Sequence, residues 1–74
     1  MARRGQKYDK LLQRIAGNLK RIRKAKGLTQ EGMAHLGFNY RHYQKLESGK
    51  HAASLQTLNN LADTLKVDVR EFFR

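Results

Sequence analysis

Apolar residues recur every three or four positions along most of the chain, which is the spacing of one face of an α-helix. The longest such stripe predicts a first helix from about Tyr8 to Lys26, and Gly27 ends it. The stripe consists of Tyr8, Leu12, Ile15, Leu19 and Ile22. The basic residues of this segment mostly cover the other faces of the helix.

Two short helices are predicted next, and each follows a residue that caps helices well. Thr29 is the expected cap of a helix from Gln30 to about His35, and Asn39 is the expected cap of a helix from about Tyr40 to Ser48. Between them, Gly37 permits the positive φ of a C-terminal cap. The pattern therefore predicts a sharp turn between two capped helices.

Two further helices are predicted in the last third of the chain. Ser54 is the expected cap of the fourth helix. Its apolar positions, spaced i, i+3, i+4 and i+7, are Leu58, Leu61, Ala62 and Leu65. Asp68 and Glu71 are an expected capping pair on a fifth, short helix that ends in Phe72 and Phe73. The expected fold class is all-α.

Composition limits the architecture to one small domain. A chain of 74 residues has no room for a second core, and without cysteine it has neither a disulfide framework nor a thiolate metal site. Helix packing alone must stabilise it. No apolar run approaches the roughly 20 residues that cross a bilayer, and a cytoplasmic location is expected.

Charge narrows the choice of partners. The chain has 16 Lys and Arg against 6 Asp and Glu, a formal net charge of +10. Residues 1–27 carry ten basic side chains and one acid, Asp9, whereas residues 28–74 carry six basic and five acidic side chains. Polyanions are the partners that such a balance favours.

The segment from Leu28 to Lys50 predicts a function for that charge. It contains a capped short helix, a glycine turn and a second capped helix with polar exposed faces, which is the plan of a helix-turn-helix. The major groove of DNA is about 12 Å wide and admits one helix, which must protrude and be held at a fixed angle. The predicted third helix meets that requirement.

The segments LTQEGMA, LGFNYRHYQKLESGK and SLQTLNNLADTLKVDVREFF resemble the Cro/repressor-type (Xre) helix-turn-helix family over about residues 17–73. The resemblance implies a five-helix, lambda-repressor-like DNA-binding domain at 17–74, preceded by a basic extension at 1–16 that is either helical or an arm. Two departures stand out. First, the segment from Gln30 to Gly37 is one residue shorter than is common in the family, and Gly32 stands where the family usually has a glutamate. Second, Tyr43 stands where the family usually has a branched aliphatic residue.

The resemblance also implies roles for individual residues. The implied base-reading residues are Tyr40, Arg41, Gln44 and Lys45. The implied phosphate contacts are Thr29, Gln30, Asn39, Ser48, Lys50 and His51. Arg41 is the foremost candidate, because arginine can donate two hydrogen bonds to guanine. Arg23 and Glu47 match a family pair that ties the first helix to the third, a structural role.

The same resemblance predicts a transcriptional regulator that acts as a homodimer on a pseudo-palindromic operator, most simply a repressor or autoregulator. In its small size the chain resembles the controller proteins of restriction-modification systems and phage Cro-like repressors. The residues expected at the dimer interface are Val67, Val69, Phe72 and Phe73. The alternative is an antitoxin-like protein-interaction module whose DNA binding is autoregulatory.

Other classes of function receive little support from the residues. The three histidines, His35, His42 and His51, lie on different predicted elements and have no suitably placed acid, so no metal site is expected. No catalytic constellation or phosphate-binding glycine loop is present, and neither an enzyme, a cofactor nor a small-molecule effector is expected. Membrane-surface binding is disfavoured because the core needs the apolar stripe of the first helix.

Overall fold

The structure is a computed structural model that describes the backbone of residues 2–74 and the side chains of residues 8–74. The α-helices are α1 (Ala2–Ala25), α2 (Gln30–His35), α3 (Tyr40–Glu47) and α4 (Leu55–Leu65), and a 3₁₀ helix (Val69–Phe73) follows. Residues 2–74 contain no strand, so the all-α prediction is confirmed. No described helix is long and apolar enough to cross a membrane.

The count of five α-helices is not confirmed, because the C-terminal element is a 3₁₀ helix. The backbone N–H of Glu71 donates to the carbonyl of Asp68 at 2.9 Å, the i to i−3 bond of that tighter helix. Asp68 is its cap, accepting from the N–H of Arg70, but the predicted capping pair is wrong: the carboxylate of Glu71 lies 3.4 Å from the guanidinium of Arg74 instead.

The first helix is longer than predicted. It begins at Ala2 rather than near Tyr8 and continues without a break through Gly17, so the predicted basic extension is helical from residue 2 to residue 16. The side chains of residues 1–7, which belong to that extension, lie outside the described residues. Tyr8 was predicted to face the core but is 53% exposed, because the helices that pack on α1 cover only its C-terminal part.

One apolar core joins all the elements. The buried residues are Leu19, Ile22, Met33, Tyr43, Leu46, Leu58, Leu61, Ala62, Leu65 and Phe72. All four predicted apolar positions of α4 are among them, as are the two α1 positions nearest its C-terminal end. The core therefore fixes α1, α3 and α4 relative to one another, and it positions the short α2, which is too short to be stable alone.

Local capping hydrogen bonds set where the helices begin, as predicted. Thr29 Oγ1 accepts from the N–H of Gly32 at 2.9 Å, and Asn39 Oδ1 accepts from the N–H of His42 at 2.9 Å. Ser54 Oγ accepts from the N–H of Thr57 at 3.0 Å. Each bond satisfies a backbone donor that the first turn of a helix leaves free.

The C-terminal segment is anchored to α1. The side-chain amide of Asn18 donates to the carbonyl of Phe72 at 3.0 Å, and the Phe72 ring is fully buried, with 0% of its surface exposed. Its predicted place in a dimer interface is therefore wrong, because the ring already fills the core of its own chain. Its neighbour Phe73 stays exposed, and Val67 and Val69 are partly buried against the core.

Candidate nucleic-acid interface

The turn between α2 and α3 holds the two helices at a fixed angle. Gly37 has a φ of +104°, which an L-residue rarely adopts, and the N–H of Phe38 reaches back to the carbonyl of Met33 at 3.3 Å. Met33 on α2 and Tyr43 on α3 both enter the core. The orientation of α3 is thus determined by packing and by the turn together.

One face of α3 is buried and the other is exposed. Tyr43 and Leu46 are 1% and 5% exposed and anchor the helix in the core. The exposed side chains of α3 are the four predicted to read bases and His42, namely Tyr40, Arg41, His42, Gln44 and Lys45. A short helix with a polar outer face is the element that fits into a major groove.

A shallow groove runs along the exposed side of α3 and the loop that follows it. The residues that line it are Arg41, Gln44, Lys45, Ser48, Lys50 and His51, and we call it the basic groove. Three of these side chains are cationic and none of the described ones is acidic. The structure therefore brings three predicted base readers and three predicted phosphate contacts together at one surface, while Thr29, Gln30, Asn39 and Tyr40 lie outside the groove.

A chain of side-chain hydrogen bonds connects α2 to α3. Gln44 Nε2 donates to the hydroxyl of Tyr40 at 3.0 Å and to Gln30 Oε1 at 3.3 Å, and Gln30 Nε2 donates to Glu47 Oε1 at 3.0 Å. The side chain of Gln30, predicted to contact phosphate, thus turns towards α3. These bonds orient the amide of Gln44, a link that the sequence did not predict because 14 residues separate the two glutamines.

The capping residues keep part of their bonding capacity. The caps use the oxygen atoms of Thr29 and Asn39 as acceptors, so the Nδ2 amide of Asn39 takes no part in its cap. Ser48 Oγ donates to the carbonyl of Lys45 at 2.7 Å at the other end of α3. Lys50 and His51 are exposed beyond that end.

Arg23 and Glu47 form an ion pair between α1 and α3. Arg23 Nε lies 2.5 Å from Glu47 Oε2 and Arg23 Nη2 lies 3.1 Å from Glu47 Oε1, a two-pronged contact between side chains that are only 8% and 3% exposed. Arg23 Nη1 also donates to the carbonyl of Leu28 at 2.7 Å. One guanidinium therefore joins α1, the start of the α2 segment and α3.

This pair shifts the titration of both partners. Burial opposes ionisation of Glu47, but its interactions with neighbouring groups, above all the hydrogen bonds from Arg23, outweigh burial and hold the pKa of the carboxyl below its ordinary value. The hydrogen bond to Glu47 likewise raises the pKa of Arg23. Both groups are charged at neutral pH, so the link between α1 and α3 is ionic under ordinary conditions.

The hydroxyl of Tyr43 lies buried next to this pair. Burial, followed by the nearby Glu47 carboxylate, raises the pKa of Tyr43 far above its ordinary value, so the phenol stays neutral. Within the described part of the chain, no partner in hydrogen-bonding geometry reaches the hydroxyl. The departure from an aliphatic residue at this position thus leaves one buried polar atom unpaired.

A protruding polar helix, held by a capped partner helix and a tight turn, defines a helix-turn-helix DNA-binding protein. The sequence profile of the Helix-turn-helix family matches residues 19–72, and the chain belongs to this family, of the Cro/repressor (Xre) type. The family consists of DNA-binding transcription regulators and is typically not enzymatic. Searches of curated proteins and of solved structures found no match.

Proposed function

We propose that this protein is a sequence-specific regulator that binds duplex DNA as a homodimer and represses transcription, its own promoter included. The observation that carries the proposal is the orientation of α3: its apolar side is locked in the core and its polar side forms one wall of the basic groove. A helix held in this way enters a major groove without rearranging the fold.

The base contacts are assigned to the exposed face of α3. Arg41 is exposed, lines the basic groove and donates two hydrogen bonds to the N7 and O6 atoms of one guanine. Lys45 supplies a second cationic donor one turn further along. Gln44, oriented by Gln30 and Tyr40, presents its amide to an adjacent base, and Tyr40 contacts a thymine methyl group with its ring.

The phosphate contacts are assigned to the two ends of the motif. Ser48, Lys50 and His51 follow α3 and line the basic groove, and we assign them to the phosphates of one DNA strand. Thr29, Gln30 and Asn39 supply N–H groups at the starts of α2 and α3. Contacts of this kind fix the register of the protein on DNA without reading sequence.

The homodimer and the repressor role follow from the geometry that DNA requires of a paired helix-turn-helix. A two-fold symmetric pair of chains places two recognition helices about 34 Å apart, in successive major grooves of a pseudo-palindromic operator. A dimer bound across a promoter excludes polymerase by occupying the site. The resemblance to controller proteins and Cro-like repressors supports this mode of action.

Selection of bound duplexes from a random DNA pool tests the proposal. The expected result is a two-fold symmetric consensus with half-sites about one helical turn apart and a guanine at the position that Arg41 contacts. Selection repeated with Arg41→Ala is the matched control, and it should lose preference at that one position in each half-site. A pool without sequence enrichment contradicts sequence-specific binding, and an asymmetric single site contradicts the homodimer.

A further inference from the structure

An apolar groove lies beside the C-terminal end of α3. Its walls are residues 8–19 of α1, the loop at residues 51–53, the start of α4 and the C-terminal 3₁₀ helix, and its cavity volume is about 260 Å³. The exposed apolar side chains along it are Tyr8, Leu11, Leu55 and Phe73. Only Leu36 and Tyr40 are exposed large hydrophobic side chains elsewhere on the described surface. We call this surface the apolar groove.

Leu55, at the rim of the apolar groove, is largely exposed and contributes little to the packing of the isolated chain. Leu55 is the first residue of α4 and is 81% exposed, although the cap at Ser54 and the buried face of α4 already fix that helix. On α1, Tyr8 and Leu11 are also only partly covered, with 53% and 40% of their surface exposed. A contiguous apolar patch of this kind marks an interaction surface.

The charge distribution favours a second copy of this chain as the occupant. The chain carries a net charge of +10, so most of its surface repels an identical chain. Among the described side chains that line the apolar groove there is no Lys, Arg, Asp or Glu, and His51 at its edge is the only titratable group besides the phenol of Tyr8. Two copies meet there without opposing fixed charges, as in the core of a typical interface.

The position of the groove suits a dimer that reads DNA. His51 lines both the apolar groove and the basic groove, so the two surfaces adjoin at the end of α3. Of the residues on the outer face of α3, Arg41, Gln44 and Lys45 line the basic groove and none of them lines the apolar groove. A two-fold axis at this place therefore joins two copies while both recognition helices remain free to enter DNA.

We infer that the apolar groove is the interface between two copies of this chain, with Leu55 of each copy inserted into the groove of the other. The inference rests on the proposed homodimer and moves its interface from Val67 and Val69 to this surface. A two-fold interface needs a ridge and a groove in one patch, and Leu55 beside the cavity supplies both. Except for Leu19, the α1 residues that line the groove precede the segment that the family profile matches.

Sedimentation equilibrium of the full chain tests this interface. The patch variants are Leu55→Lys and Tyr8→Lys, and the matched control is Leu36→Lys, which adds the same charge at an exposed leucine away from the groove. The native chain and the control should show twice the 8.6 kDa chain mass, and the patch variants should show 8.6 kDa. The dimer dissociation constant should rise at least about a hundredfold, because symmetry buries each new ammonium at two places.

Circular dichroism of the helices and the melting temperature establish that the variants are folded. We expect them to fold because the substituted side chains are exposed. A Leu55→Lys chain that stays dimeric overturns the interface but not the homodimer. If the Leu36→Lys control dissociates to the same degree as the patch variants, the proposed interface is also overturned. A monomeric native chain overturns both the interface and the homodimer, and it points to a different protein as the occupant of the groove. Binding of the native chain to the duplexes selected from the random pool is measured in parallel, and an absence of binding there contradicts the proposed function, whereas the sedimentation result alone decides the interface.

Discussion

The Arg23 guanidinium and the Glu47 carboxylate form the only described buried ion pair, and they connect α1 to the recognition helix α3 through two hydrogen bonds. Such a pair adds little net stability over an apolar contact, because both charges lose their hydration. Its geometric effect is larger. It fixes the angle and the rotation of α3 about its axis, and therefore which side chains face outward.

Replacing Glu47 by glutamine should destabilise the protein strongly. The Glu47→Gln variant leaves Arg23 buried without its counter-charge, and the free energy of unfolding should fall by roughly 3 kcal/mol. Asp68→Asn is the matched control, since it makes the same chemical change in an exposed ion pair with Arg70 and should alter stability little. Urea denaturation measures both, and equal effects would contradict the role of burial.

The same variant gives a pH signature. The pKa of Glu47 is lower in the folded chain than in the unfolded chain, so its stabilising contribution is present above the unfolded pKa and is lost as the pH falls through the folded pKa. The stability difference between the native chain and Glu47→Gln should therefore shrink in acid. Denaturation curves from neutral to acidic pH test this, and a difference that stays constant would contradict the assigned pKa shift.

Removing the Tyr43 hydroxyl should not weaken the fold. This buried oxygen has no partner within the described structure, so Tyr43→Phe should leave the free energy of unfolding unchanged or raise it by about 1 kcal/mol. Tyr40→Phe, at an exposed position on the same helix, is the control for the chemical change. A loss above about 1 kcal/mol for Tyr43→Phe would mean that the hydroxyl does bind Glu47.

Two glycine substitutions should have opposite effects on stability. Gly17 lies inside α1 with open space where a Cβ would stand, so Gly17→Ala should raise the free energy of unfolding by about 0.5 to 1 kcal/mol. Gly49 has a φ of +76°, and a Cβ there would lie 3.3 Å from Gln13 Cγ, so Gly49→Ala should lower it by about 1 to 2 kcal/mol. Thermal melts measure both variants, and a shift of the melting temperature in the same direction for both would contradict the prediction.

Base reading and phosphate binding should separate by mutation. Arg41→Ala should reduce the ratio of specific to random-duplex affinity about tenfold, because it removes one bidentate base contact. Lys50→Ala should weaken both duplexes alike and lower the slope of log affinity against log salt by about one unit. Fluorescence anisotropy at several salt concentrations measures both quantities. Equal losses on both duplexes for Arg41→Ala would remove it from the base readers.

The helix-turn-helix was predictable because its signals are local. Each cap and the glycine turn act within four residues, and the bounds of α2 match the prediction, while α3 ends one residue early because Ser48 is its C-cap. Two helix ends had no local signal in the sequence. Residues 2–7 contain no large apolar side chain that would indicate the start of α1. At the end of α4, the left-handed residue after Leu65 is Lys66 and not a glycine.

Tertiary relationships were predictable only in part. The Arg23 and Glu47 pair was expected from the family resemblance, whereas the bonds from Gln30 to Gln44 have no counterpart in local spacing. Phe72 and Phe73 are alike in sequence terms. The 3₁₀ turn and the hydrogen bond from Asn18 to the carbonyl of Phe72 determine which of the two rings is buried, and both are features of the folded chain.

The outer face of α3 is the surface proposed to meet DNA. The most direct test is to titrate the ¹⁵N-labelled chain with a selected duplex and map the changes in amide and side-chain resonances. The expected result is that the largest shifts fall on Tyr40, Arg41, Gln44 and Lys45 and on the neighbouring Lys50. Shifts confined to the basic side of α1, or to the outer face of α4 at Gln56, Asn59 and Asp63, would contradict it.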